Sequence, residues 1–404
     1  MAELLSPAGN FEKLKSAFLY GADAVYMAGK TFGMRSAAEN FTDDEIISAV
    51  EYAHARGKKV YVTVNTMPHT GEYPRLEKYL GFLREVAPDA LIISDVGVFA
   101  LAKKIAPDID IHISTQAGVV SAADCIFWRN AGAKRAVLAR ELSLEDIKQI
   151  RAEIPSDFEI ETFVHGSMCV SFSGRCLLSN ALTGRDGNRG ACAQPCRWNY
   201  ALTEEKRPGE YMPIEETPDG TFIMSSKDMC MVEHIPELVR AGISSLKIEG
   251  RMKSAYYTAV VSNAYRAALD GFEKLGEDYV FDKAWLDELA SVSHREYCTG
   301  YFYDLPSENA QTCTAPGYIR DKAYLATATE DRAEGGLCGF VQRNKMTAGQ
   351  KVEIISPGKI GRGFVAEEIF GADGEKIEST PHPDMKFFLK VPFDVHAGDI
   401  LRSE

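Results

Sequence analysis

The chain has 404 residues, which at about 150 residues per domain allows two or three domains. Its 45% apolar and 25% charged content is that of an ordinary globular chain rather than a disordered one. With 45 basic against 58 acidic residues the net charge is −13, which excludes a general polyanion coat while leaving room for a local basic mouth.

Met1–Pro7 lacks the basic start and apolar stretch of a signal peptide, and no run of about 18 apolar residues follows. Neither secretion nor a membrane partner is therefore expected. The nine cysteines are an odd number and four crowd into residues 169–196, which points to a reduced, cytoplasmic protein with a cysteine site.

Short apolar runs predict strands at Glu3–Ser6, Ala24–Met27, Val60–Asn65, Ala90–Asp95, Ile109–Ser114, Ala136–Arg140, Glu159–Val164 and Ser245–Glu249. Helical periodicity falls between them, with Ser143 followed by Glu145 and Asp146 as one helix start. Eight strands alternating with helices predict an α/β protein, a (β/α)8 TIM-like barrel over residues 1–272 serving as the catalytic domain. An open doubly wound sheet is the alternative. The step from strand 7 to strand 8 carries a long cysteine-bearing insertion, about 166–243, where barrel enzymes place functional loops. A helical and coil connector is expected over 273–315. A C-terminal small β-barrel is expected over 316–404, with strands at Ala323–Thr329, Gly339–Asn344, Gln350–Ile355, Gly363–Phe370 and Lys386–Val391.

Polar residues end the barrel strands. Asn65, Gln116, Arg140, Lys247, Glu249 and Arg251 converge there; Asn65, Gln116 and Arg140 are candidate ligands for an anionic substrate, joined by Lys247 and Arg251, which with Glu249 are also candidate catalytic residues, whereas Ser6 and Asp95 read better as helix caps. Arginine suits a dicarboxylate or phosphate because its planar fork binds two oxygens at once. Arg175, Arg185, Arg189 and Arg197 of the insertion are candidates for RNA phosphates, with Phe172, Trp198 and Tyr200 for stacking on bases. Glu161 and Glu249 are candidate acid–base residues, or partners of neighbouring arginines.

Between Cys169, Cys176, Cys192 and Cys196 six, fifteen and three residues intervene. No C-x2-C pair is present, so an iron–sulfur cluster, a zinc site and unligated thiols all remain open from spacing. His165 stands four residues before Cys169, but that interval at a strand end does not pair a thiol with an imidazole, and no G-x-S-x-G or H-E-x-x-H motif occurs. His165 is kept as a candidate catalytic residue.

The run Glu161–Ser179, with Leu4–Asn10, Gly21–Tyr26, Ser225–Asp228 and Ser245–Arg251, resembles the collagenase-like peptidase family, the U-type peptidases of family 32, over nearly the whole chain. Arg189–Cys192 and Pro195–Trp198 are most similar to tRNA-hydroxylating members of that family. The resemblance implies a 4Fe–4S cluster on the four clustered cysteines, prephenate as a small anionic co-substrate, and formation of 5-hydroxyuridine at the wobble position of tRNA. Relatives hydroxylate a ribosomal-RNA cytidine or, without oxygen, the ring of ubiquinone. One ubiquinone-hydroxylating relative takes its fourth ligand from later in the chain, which makes Cys230 a reserve ligand. The terminal domain resembles the small β-barrel of translation factors, and assembly with itself or a related family member is a further implication. The competing readings are a peptidase acting on collagen-like or unfolded protein, which lacks a hydrolytic constellation here, and an RNA-binding module without catalysis, which would not need the cysteine cluster.

Overall fold

The computed structural model describes residues 2–34, 39–169, 171–198, 202–203, 211–212, 226–303 and 318–404. They form two compact units, one of residues 1–14, 22–253 and 295–318, the other of 15–21, 254–294 and 319–404.

The first unit is the barrel. Its parallel strands are β1 (Glu3–Pro7), β2 (Ala24–Ala28), β3 (Lys59–Val64), β4 (Ala90–Ile93), β5 (Asp110–Ile113), β6 (Arg135–Val137), β7 (Glu159–Ser167) and β8 (Ser245–Ile248). Each pairs with the next, and β8 pairs with both β1 (Leu4 opposite Leu246) and β7 (Thr162 opposite Leu246). That second pairing closes the cylinder and rules out the open sheet. Strands such as Ala24–Ala28 are buried throughout, as expected where parallel strands are covered on both faces. Leu5, Ala24, Tyr26, Tyr61, Ala90 and Ile92 pack together as an apolar cluster.

Local signals set the helices. Thr42 and Glu45 form a capping box before Asp43–His54, and Ser143 does the same with Asp146 before Leu144–Glu153. Asp95 accepts from the Val98 N–H at 2.9 Å, so it is a helix cap. Within the insertion, the short strand Asp228–Cys230 runs antiparallel to β7, with Met229 opposite Gly166. Asp228 is buried against the Arg295 guanidinium at 2.7 Å.

The second unit is built on a curled antiparallel sheet: β9 (Tyr324–Ala328), β10 (Leu337–Gln342), β11 (Gln350–Ile355), β12 (Arg362–Ala366), β13 (Ile369–Gly371), β14 (Lys376–Ile377), β15 (Lys386–Lys390) and β16 (Ile400–Ser403), in the order β12-β11-β16-β9-β10-β15-β13-β14. Two details differ from the sequence reading. The single strand expected over Gly363–Phe370 is broken at Glu367–Glu368, and Ile400–Ser403, which no periodicity marks, pairs with both β9 and β11. Four residues are too few to display an alternation, yet burial of Ile400, Leu401 and Arg402 secures the strand. Arg402 is satisfied by Glu288 at 2.8 Å and Glu353 at 2.6 Å in the same unit. Among the described residues no helix is long and apolar enough to cross a membrane.

Candidate active site

Charge lies inside the barrel. Arg135, at the start of β6, donates to Glu3 at 2.7 Å, Glu159 at 2.6 Å and Glu161 at 3.0 Å, and Glu161 in turn accepts from the Lys247 ammonium at 2.7 Å. Glu161 is 0% exposed, and Arg135 and Lys247 are nearly so. Tyr61 and Ser245 hydroxyls complete the Glu3 end. Burial pushes the Glu3 carboxyl up, but Arg135 and these hydrogen bonds bring it below its usual range. His112 is held neutral, first by burial and then by the neighbouring cations Arg135 and Lys247.

Above this ladder a cavity of about 200 Å³ opens among the carboxyl ends of the strands. Three cations reach it. Lys247 lies 4.7 Å from the Tyr26 ring centroid, and the Arg140 guanidinium sits 3.8 Å over Phe163 while donating to the Ser167 carbonyl at 3.2 Å. Arg251, buried, approaches the Thr63 hydroxyl at 3.4 Å. Its backbone carbonyl leaves no room at Gly9, where a Cβ would come within 2.4 Å. Glu249 accepts from the Tyr26 hydroxyl at 3.1 Å. Burial first, and then the Glu249 carboxylate, push the Tyr26 phenol well above its ordinary value, so it remains a donor. The Asn65 amide donates to Gln116 at 3.0 Å on the same wall.

All four clustered cysteines line this cavity, and none is in a disulfide. Their loops are tied by side-chain to backbone bonds. Asn188 donates to the Cys176 carbonyl at 2.9 Å, Ser179 joins the Arg185 carbonyl and the Ala193 N–H, and the Ser173 N–H donates to Glu141 at 2.9 Å. Four thiols lining one cavity are the kind of donor set that an iron–sulfur cluster requires. Among the described residues no three Cys, His, Asp or Glu side chains are gathered as a metal-holding group. The fit is therefore one of donor chemistry and place.

Gly174 carries the first cysteine loop past β5 at φ 74°, where a Cβ would stand 2.1 Å from the Gln116 carbonyl oxygen. Gly184 has a similar φ of 67° but open space. Gly184→Ala is expected to cost about 1–2 kcal/mol from backbone conformation alone. Gly174→Ala should cost clearly more, because the clash is with backbone. Denaturant unfolding of both variants checks this, and equal losses would refute the role assigned to Gly174.

The structure thus brings Asn65, Gln116, Arg140, Lys247, Glu249, Arg251, Phe172, Cys169, Cys176, Cys192 and Cys196 to one cavity. Glu161 lies beneath it as the Lys247 counter-ion. His165 does not line it; its ring packs 5.3 Å from Tyr297, and Cys230 sits opposite His165 on the flanking strand. Arg175 and Arg185 are exposed, the latter donating to the Ala191 carbonyl at 3.1 Å. Arg189 is clasped by the Met67 carbonyl at 3.0 Å and Glu72 at 2.9 Å. The Arg197 side chain, Tyr200 and Ser225 lie outside the described residues, and Trp198 is exposed and does not line the cavity. Sequence reasoning missed Arg135 and Glu3, which look like surface charges at strand starts, and the aromatic platforms Tyr26 and Phe163.

Residues 9–312 match the family model described as peptidase family U32, and residues 320–402 match that of the peptidase family U32 C-terminal domain. The chain is similar to a Bacillus subtilis strain 168 protein named tRNA hydroxylation protein P1, 36% identical over 401 residues covering 99% of this chain and 94% of that one. It is 43% identical to tRNA hydroxylation protein P of Helicobacter pylori strain J99 over 364 residues, 88% of this chain and 83% of the other. A 23S rRNA 5-hydroxycytidine synthase of Escherichia coli strain K12 is 38% identical over 268 residues, 66% of this chain and 39% of that protein.

Proposed function

The chain belongs to peptidase family U32, and on that footing we propose that it is a tRNA-modifying enzyme that hydroxylates uridine at the wobble position, with a 4Fe–4S cluster and prephenate as co-substrate. The observation that carries this reading is that four thiols and three cations line one cavity at the carboxyl ends of the barrel strands. Relatives named for tRNA hydroxylation support the RNA substrate.

A cluster on Cys169, Cys176, Cys192 and Cys196 would supply electron transfer beside the bound base. The chain's own groups do the rest. Arg140 and Arg251 present guanidinium forks to the two carboxylates of a dianion, and Lys247, fixed by Glu161, adds a point charge. The Asn65–Gln116 amide pair offers donors and acceptors to a base edge. Tyr26 and Glu249 form a proton-bearing pair at the mouth of β8.

The test is anaerobic purification with iron, sulfide and zinc analysis, alongside mass spectrometry of tRNA nucleosides from a deletion strain complemented with wild type or single Cys→Ala variants. Wild type is expected to carry iron and restore the 5-hydroxyuridine-derived nucleoside, while alanine at any cavity cysteine removes most iron and the product. Zinc in place of iron refutes the cluster. Proteolysis of gelatin without any restored nucleoside refutes the hydroxylase and supports the peptidase.

A further inference from the structure

Beside the catalytic cavity the barrel loops enclose a second depression, of about 190 Å³, lined by Lys30, Phe32, Thr66, Met67, Arg75 and Arg189 together with Glu72. Its lining includes an aromatic residue in a conformation that L side chains rarely adopt. Phe32 has φ 59°, where a Cβ crowds the following carbonyl. The strain is held in place, since the Thr66 N–H and hydroxyl both donate to the Phe32 carbonyl, at 3.3 and 3.2 Å. Backbone strain of this kind persists where neighbouring structure over-determines it, and it clusters at ligand clamps.

The ring packs against Tyr79, with centroids 5.9 Å apart, and charged groups line the same hollow. The Arg75 guanidinium lies 5.9 Å from the Phe32 centroid, and Arg189 is fixed by Met67 and Glu72. The backbone N–H of His69 and then Arg189 hold the Glu72 carboxyl below its usual range, so it stays ionised as the clasp. Three cations against one carboxylate leave the depression net positive. Two residues beyond Phe32, the Met34 N–H donates to the Asn65 side chain at 3.1 Å, and both Met34 and Asn65 line the catalytic cavity. The two hollows share a wall.

We infer that this depression is the subsite for the nucleotide flanking the reacting base, its phosphate met by Lys30, Arg75 and Arg189 and its base or ribose by Phe32. The inference rests on the RNA reading above. An enzyme that draws one base out of its stack must also seat its neighbours, and contacts to them set sequence context. Cations around an aromatic face are the usual means of holding single-stranded RNA without reading a base edge.

The full-length protein is tested as Lys30→Ala/Arg75→Ala and as Phe32→Leu, with Phe32→Tyr as the conservative control, against a 5′-phosphorylated uridine trinucleotide at 50 and 200 mM salt. The double variant is expected to bind at least tenfold more weakly, and its log–log salt slope should shrink by about 0.7, the share of the one phosphate of a single strand that is no longer neutralised. Phe32→Leu should weaken binding about tenfold with the slope unchanged, and Phe32→Tyr should restore it. Melting temperatures of the double variant should match wild type, since Lys30 and Arg75 are exposed. Unchanged affinity and slope in the double variant would overturn the subsite, as would a wild type that does not bind the trinucleotide. If wild type restores no modified uridine in the complemented strain yet binds the trinucleotide through these residues, the subsite stands and the hydroxylase reading falls. If modification is restored while the double variant binds normally, only the subsite falls.

Discussion

Glu161→Ala is expected to destabilise the barrel by about 3–5 kcal/mol, the cost of breaking a buried ion pair from one side. The substitution leaves Arg135 with Glu3 and Glu159, but it removes the carboxylate that holds the Lys247 ammonium at 2.7 Å inside the barrel. Glu161→Gln keeps the shape and one acceptor, so it should fall between wild type and alanine. The double substitution Glu161→Ala/Lys247→Met should recover a large part of the loss, because removing both partners spares the protein an uncompensated buried charge. Equilibrium unfolding in urea measures all three. A loss below about 1 kcal/mol in Glu161→Ala, or a double variant no better than the single, would show that water reaches Lys247 and that the ladder does not hold it.

Under the proposed function, Arg251→Lys is expected to cut tRNA hydroxylation about a hundredfold, the scale of removing one preorganised charge-stabilising group, while leaving the fold near wild type. The positive charge survives the change; the planar fork does not, and lysine cannot grip two oxygens of a carboxylate or phosphate from the end of β8. The Arg251 guanidinium also approaches Thr63, and its backbone packs against Gly9, which gives a structural alternative a definite form. Were Arg251 chiefly a brace, the variant would lose melting temperature in step with activity. Nucleoside mass spectrometry and thermal unfolding of the same preparations separate the two, and activity within threefold of wild type would remove Arg251 from the site.

Much of the barrel was legible because parallel strands buried on both faces write themselves as apolar runs, and the ends of those runs carry the cavity's polar groups. Lys247, Arg140 and Arg251 could be placed from that alone. Two roles stayed open for Glu161, an acid–base group or the partner of an arginine, and its pairing with Arg135 at 3.0 Å decides for the second. Strand periodicity gives the direction of a side chain but not its depth along the barrel, and Glu161 enters the strand below the mouth, where its neighbours are Arg135 and Lys247 rather than solvent. His165 was misplaced as a candidate for a related reason. β7 runs on to Ser167, so His165 is still in the sheet, turned to Tyr297 rather than to the cavity. Arg189 shows the limit for loops: the four candidate arginines of the glycine-rich insertion look alike in sequence, and only tertiary contact separates the one clasped by Glu72 and Met67 from Arg185 and Arg175.

The ladder of Glu3, Arg135, Glu161 and Lys247 also constrains how this barrel can change over generations. Each ion inside it answers to at least one other, so a substitution at any rung is penalised until a second one compensates. An apolar replacement of the whole set would be tolerated or even favoured, but no single-step route leads there without passing through an orphaned charge. The network is in that sense a ratchet. These four positions, drawn from β1, β6, β7 and β8, should covary as a block among descendants of this sequence, far more tightly than the loop residues that touch substrate.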